Sequence, residues 1–266
     1  MLDGIAAKFM TIGVQVARPA RAAAAALVIA ALLIAPGCRS QTVEQRVLFV
    51  GNSYVFTNDL PATFRALAEA KHHRVEVGMA ATGGWTLQQH AESPETRAAL
   101  GKQAWTAVVL QEQSVLPAYR VERERRMYPA VRELARLIRA RHAAPMMLST
   151  WARRDGLASA GFASFALMQA ELDEGYRIIA EEVGAAIIPA GAAWAMAREK
   201  MPMLELWGPD GSHPSAAGTY LTACVVFATV FRETPVGLPA SPGVDAESAR
   251  QLQSIAARIA LAPRVL

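Results

Sequence analysis

The feature that most constrains this chain is an alternation: short apolar, β-branched runs are separated by longer stretches with helical spacing. Residues 46–50 (RVLFV) form the first run and end at Gly51. Asp59 and Pro61 open a helix through about Lys71, because Asp caps a first turn well and Pro fits inside it. Residues 75–79 are a second run, Ser93-Pro94-Glu95 starts a short helix, and 105–110 (WTAVVL) is a third run. Apolar residues at 131, 134, 135, 137 and 138 make a helical stripe over 128–141. Then come a strand at 145–149, a long helix at 164–183 and a strand at 185–188. A helix near 192–200, a very apolar helix opened by Pro214 and running to about Phe231, and an amphipathic helix at 245–261 complete the order.

Strands alternating with helices predict βαβ units, and hence a mostly parallel five-stranded sheet covered on both faces. Right-handed crossovers make that a three-layer α/β/α sandwich. Ligands in such sheets sit beyond the carboxyl ends of the strands. Any chemistry should therefore lie in the loops just after positions 50, 79, 110 and 150.

The N-terminal segment follows a different pattern. Residues 1–21 hold Lys8, Arg18 and Arg21 against Asp3 alone, and 22–35 is an uninterrupted apolar run of 14. A bilayer span needs about 20 such residues. A basic start, a short apolar run and small residues after it read as a secretory signal; the alternative is a hydrophobic N-terminal helix of the fold. The following Ala35-Pro36-Gly37-Cys38 resembles the lipobox of bacterial lipoproteins, although Ala35 and Pro36 depart from its favoured residues. That resemblance implies a signal peptide at 1–37, lipid attachment at Cys38 as a membrane anchor, a linker at 38–45 and a domain at 46–266. Arg39 points to outer-membrane sorting within the cell envelope. The alternative is ordinary signal cleavage, with secreted or periplasmic protein.

Removing 1–37 takes three basic and one acidic side chain from totals of 27 and 23, leaving a net charge of +2. The basic run that survives, 120–126, interleaves Glu122 and Glu124 among its arginines and reads as a solvated face, so nucleic acid is not an expected partner. With 53% hydrophobic residues the chain has a core to bury rather than the composition of a disordered segment. Cys38 and Cys224 are too few for a disulfide framework or a thiolate zinc site.

The loops after the strands carry Gly51-Asn52-Ser53, then Thr82-Gly83-Gly84-Trp85, then Gln111-Glu112-Gln113-Ser114. Asp210-Gly211-Ser212-His213-Pro214 precedes a C-terminal helix. Taken singly, each has a plain structural reading as a cap, turn or loop amide. Together they supply a hydroxyl, a glycine amide, a side-chain amide and an Asp/His pair, the parts of acyl transfer through a serine. A serine hydroxyl needs an imidazole base, and the imidazole a carboxylate on its other nitrogen. Asp210 and His213, three apart in one tight turn, can meet that need locally.

In this order the motifs resemble those of the SGNH (GDSL-type) hydrolase family over about residues 46–232. The resemblance implies the flavodoxin-like fold of that family, Ser53 as nucleophile, His213 as base and Asp210 as its orienter. It further implies an oxyanion hole from the Ser53 and Gly84 amides and a side-chain amide, Gln113 or, less favoured, Gln111. No metal or organic cofactor is implied. Asn52 stands where the family has aspartate, and Gln-Glu-Gln-Ser replaces Gly-x-Asn-Asp. The function expected is that of an exported serine esterase or deacetylase-like hydrolase acting on a small-molecule or carbohydrate ester. The alternative is a non-catalytic envelope lipoprotein using the fold as a binding module. Trp85, Tyr119 and Trp151 either stack on a sugar or simply pack.

Overall fold

A computed structural model of the protein describes residues 44–263; the signal and lipidation expectations, including Cys38, lie outside the described residues. Strands β1 (Gln45–Gly51), β2 (Val75–Ala81), β3 (Ala107–Leu110), β4 (Ala144–Leu148) and β5 (Ala186–Ile188) form one sheet in the order β2-β1-β3-β4-β5. Every neighbouring pair is parallel. The helices are α1 (Ser53–Phe56), α2 (Leu60–Ala70), α3 (Leu87–Glu92), α4 (Pro94–Gly101) and α5 (Arg120–Glu122), followed by a π-helical turn (Arg123–Met127) and α6 (Tyr128–Arg139). After β4 come α7 (Phe165–Glu182), α8 (Ala190–Lys200), α9 (Ala216–Phe231) and α10 (Ala246–Ala260).

Period-2 alternation sends successive strand side chains to opposite faces. In β1, Val47 and Phe49 enter one core, while Leu48 and Val50 enter the other, and all four are essentially without solvent contact. The first core is closed by Phe64 and Leu67 of α2, Trp194 of α8, and α9 and α10. The second is closed by α3, α4 and α6. Helix α7 serves both, with Met168 and Leu172 in the first and Tyr176 and Ile179 in the second. This is the three-layer α/β/α sandwich with a parallel five-stranded sheet. Burial on both faces explains why its strands read as apolar runs rather than alternating ones.

Three local expectations change. Helix α9 starts at Ala216 rather than at Pro214, because Ser215 is its cap and its hydroxyl accepts from the Gly218 N–H at 3.1 Å. Strand β3 starts at Ala107, since Trp105 turns its indole N–H onto the Ala99 carbonyl at 2.8 Å. The arginine-rich segment is not wholly a solvated face: Arg123 is 2% exposed. Its guanidinium donates to the Pro117 and Glu171 carbonyls and pairs with Glu174 at 2.6 Å. It packs against Gly175, where a Cβ would collide with the Pro117 carbonyl. Charge alternation could not reveal that one turn of π-helix carries this arginine inward.

The sheet order changes direction at β1, with β2 on one side and β3 on the other. That switch point opens a crevice beyond the carboxyl ends of β1 and β3. No helix among the described residues is long and apolar enough to cross a membrane.

Candidate active site

The loop after β1 is built around Asn52, which is 2% exposed. Its side-chain oxygen accepts from the Tyr54 N–H at 3.2 Å and caps α1, so Ser53 becomes the first residue of that helix. Its amide nitrogen donates to the Trp85 carbonyl at 2.9 Å, and its backbone N–H donates to Gln111 Oε1 at 2.9 Å. One asparagine thus ties together the loops after β1, β2 and β3. Gly51 has to be glycine here, because a Cβ would run into the Gln111 side chain.

Ser53 Oγ lies 2.8 Å from His213 Nε2, across 160 residues of sequence. The other ring nitrogen, Nδ1, lies 2.5 Å from Asp210 Oδ2. A carboxylate can only accept, so the neutral imidazole donates from Nδ1 and leaves Nε2 to accept from the serine hydroxyl. Asp210 Oδ1 accepts from the N–H groups of Ser212 and His213, each at 3.0 Å, which winds the turn around the carboxylate; Gly211 provides the left-handed residue at φ +64°. The His213 hydrogen bond, helped by those two amides, lowers the Asp210 pKa to about 2 against the opposing pull of desolvation.

The turn rests on an aromatic floor of Tyr54, Trp151 and Trp194. Tyr54 packs edge-on to His213, with centroids 5.6 Å apart, and stacks on Trp151 at 4.7 Å. Trp151 in turn stacks on Trp194 at 4.0 Å. The Tyr54 hydroxyl shares a 2.7 Å hydrogen bond with Ser212 Oγ, and burial raises its pKa, which keeps it protonated. Trp151 is 1% exposed, so its place is in the core and it offers no face to a sugar. Tyr119 packs on Phe162 at 5.5 Å, and Trp85 meets His90 edge-on at 5.1 Å.

His90 is a further residue that the sequence left unassigned. It is buried, and its Nε2 donates to the Gly51 carbonyl at 2.8 Å while Nδ1 accepts from the Thr96 hydroxyl at 2.8 Å. Burial lowers its pKa, so it acts as a neutral prop beneath the serine loop.

The two glutamines occupy different environments. Gln111 is fully buried and both ends of its amide are used, the oxygen by the Asn52 N–H and the nitrogen by the Glu112 carbonyl. Gln113 instead lines a cavity of about 240 Å³ together with Ser53, Gly84, Ser114, Arg153 and His213. Its side-chain oxygen accepts from the N–H groups of Val115 and Leu116 at 3.0 and 3.1 Å, leaving its nitrogen with one long contact, 3.4 Å to Ser114 Oγ. Neither the Ser53 nor the Gly84 amide donates a hydrogen bond among the described residues. Gly84 holds φ at +73° with open space where a Cβ would be.

Glu112, between the glutamines, is fully buried. One carboxyl oxygen accepts from the Leu87 N–H at 3.1 Å and the Gln113 N–H at 2.6 Å, and the other has no partner. Desolvation raises its pKa to about 7 despite those two amides. A larger cleft of about 890 Å³ lies beside β5 and α10, but its lining holds no nucleophile with a base. Among the described residues no cluster of three or more His, Cys, Asp or Glu is arranged to hold a metal ion.

No family model and no curated protein matches the sequence. Solved structures do. A DUF4886 family protein from Bacteroides uniformis superposes with a TM-score of 0.72 at 23% identity, covering 82% of this chain and 95% of its own. The psychrotrophic esterase EstA from Pseudoalteromonas, also solved inhibited by monoethylphosphonate, has a TM-score of 0.51 at 14% identity over 71% of this chain and 97% of its own. These two share the fold. A protein from Slackia heliotrinireducens, described provisionally as an SGNH hydrolase, is 31% identical with a TM-score of 0.60, covering 70% of this chain and 99% of its own. With that identity across the whole of the Slackia protein, the chain belongs to the SGNH hydrolase family.

Proposed function

We propose that the protein is an exported serine esterase that splits a short-chain ester through Ser53, His213 and Asp210. The observation that carries this reading is the continuous hydrogen-bonded line from Ser53 Oγ through His213 to Asp210, opening on a cavity with unused amide donors. Ser53 Oγ attacks the acyl carbon as His213 Nε2 takes its proton. Asp210 stabilises the imidazolium that forms without itself being protonated. The developing oxyanion is received by the Ser53 and Gly84 N–H groups and the Gln113 side-chain amide, a reading supported by their sharing one cavity. His213 returns the proton to the leaving alcohol, and water, activated by the same imidazole, releases the acyl group. A cavity of about 240 Å³ suits a short acyl group such as acetyl. A carbohydrate or other cell-envelope ester fits the expected export.

A fluorophosphonate probe tests the assignment. It is expected to label the wild type and not Ser53→Ala, and p-nitrophenyl acetate hydrolysis is expected to disappear with the label. Labelling that persists in Ser53→Ala removes Ser53 as nucleophile, and a wild type that neither labels nor turns over esters supports the binding-module alternative.

The lipobox-like Cys38 leads us to place the protein in the envelope through a lipid anchor, since stable anchoring takes two or more acyl chains and lipoprotein processing supplies them. Cys38→Ser is expected to release soluble protein or to block processing in a bacterial host. Unchanged fractionation and migration of that variant would refute the anchor.

A further inference from the structure

The segment after β4 brings Arg153 to the cavity and is held on both sides of it. Trp151 lies in its aromatic stack and donates its indole N–H to the Ser212 carbonyl at 3.0 Å. The Ala152 N–H donates to Gln169 Oε1 at 2.8 Å, and the Ala152 carbonyl accepts from the Trp207 indole at 3.1 Å. The Arg154 N–H donates to the Gly211 carbonyl at 2.9 Å, inside the turn that carries Asp210 and His213. Arg153 sits between these anchors, so its backbone is positioned by the same contacts that position the base.

Its side chain is treated differently from its neighbours. Arg154 pairs with Glu205 at 3.1 Å and donates to the Gly208 carbonyl, and Arg198 lies over the Phe165 and Trp207 rings. Arg153 lines the cavity with Ser53 and His213, and among the described residues its side chain has neither a carboxylate within 4.0 Å nor a hydrogen bond. Its Nε–H is buried with no partner, as is that of Arg154, but Arg154 has a terminal nitrogen already paired and Arg153 does not. Asp210, in the turn that the Arg154 N–H anchors, is already committed to His213. A buried guanidinium donor left unmatched beside a nucleophile calls for an acceptor from outside. The planar fork of arginine matches a carboxylate or another oxyanion.

We propose that Arg153 determines specificity by binding an oxyanion group, such as a carboxylate, carried by the ester itself close to the scissile bond. This rests on the esterase reading above and names the substrate class of that site: anionic rather than neutral esters. The anionic group pairs with Arg153 on the β4 side of the cavity while the ester carbonyl faces Ser53 and Gly84.

The test compares p-nitrophenyl acetate with mono-p-nitrophenyl succinate, charged on the acyl side, and 4-acetoxybenzoate, charged on the alcohol side. In Arg153→Gln the ratio of kcat/KM for at least one charged ester to that for the neutral ester is expected to fall about tenfold or more, chiefly through KM. Arg153→Lys should restore part of it. Which charged ester responds tells on which side of the scissile bond the anion lies. Binding is read separately by calorimetry of N-benzylsuccinamate and 4-acetamidobenzoate, amides charged on the acyl side and on the leaving-group side, to Ser53→Ala with and without Arg153→Gln, and a loss of about tenfold or more is expected for at least one of them. Neutral-ester turnover with no Arg153-dependent change for either charged ester or either amide overturns this inference alone. Arg153-dependent amide binding by a protein that turns over no ester upholds it and rejects the esterase reading instead. Amide binding that does not depend on Arg153, again without ester turnover, rejects both.

Discussion

The side-chain nitrogen of Asn52 donates to the backbone carbonyl of Trp85 at 2.9 Å, a bond that an aspartate at this position could not make. The same side chain's oxygen caps α1 through the Tyr54 N–H. An asparagine in place of the family's usual aspartate therefore joins the serine loop to the loop that carries Gly84.

Asn52→Asp keeps the cap but turns a buried carboxylate toward a carbonyl oxygen. It is expected to destabilise the fold by about 1–3 kcal/mol, the range for a buried polar group left without its partner. It should also lower kcat on any ester by loosening the Gly84 amide. Urea unfolding and steady-state kinetics on the same preparation check both; an unchanged midpoint with unchanged kcat would show that the loops do not depend on this bond.

Asp210→Asn should leave the turn standing, because the asparagine carbonyl can still accept from the Ser212 and His213 amides. The new NH₂ group facing His213 Nδ1 favours the tautomer that puts a proton on Nε2, where Ser53 needs an acceptor. In a serine protease triad such a change costs about 10⁴ in kcat. A loss of about 10² or more with a thermal midpoint within a degree or two of wild type is expected here. Near wild-type turnover would leave at most a Ser53–His213 pair.

Gln113→Ala and Gln113→Glu separate two jobs of one side chain. Both remove the amide donor, but the glutamate still accepts from the Val115 and Leu116 N–H groups that hold the loop. If the donor serves the oxyanion, both variants lower kcat by about 10–10³ with little change in KM. If the role is only to hold the loop, Gln113→Glu is near normal. Gln111→Ala is expected instead to lower stability, since it removes the acceptor for the Asn52 N–H and opens a hole beneath Gly51.

Glu112 gives a pH-dependent stability with a definite sign. Burial lifts its carboxyl to about 7 in the fold, against an ordinary value of 4.5. Below pH 4.5 it is protonated both folded and unfolded. Between 4.5 and 7 the unfolded chain releases the proton more readily, so this residue's contribution to stability is lost as pH rises through that window. Glu112→Gln removes the titration and keeps an oxygen for the Leu87 and Gln113 amides. The stability of the variant relative to wild type should therefore rise by about 2–3 kcal/mol between pH 4.5 and 8. Urea unfolding of both proteins at the two pH values checks this; a difference that stays flat would mean that Glu112 is solvated in the folded state.

Much of the fold was legible because it rests on local signals. Strands buried on both faces must be apolar throughout, helices must repeat at 3.6 residues, and Ser93, Asp59 and Asp245 announce helix starts by capping chemistry. The Asp210–His213 pair was equally legible, since three residues and a glycine in a tight turn bring the two side chains together without help from the rest of the chain. What only the tertiary structure decided are relations between distant segments. The approach of Ser53 to His213 spans 160 residues and depends on β1 standing at the switch point of the sheet. The inward turn of Arg123, the burial of Trp151 between Tyr54 and Trp194, and the separation of Gln111 from Gln113 are likewise set by which elements pack against them. Periodicity records which face of an element is apolar; what lies opposite that face is determined by the packing of the whole domain.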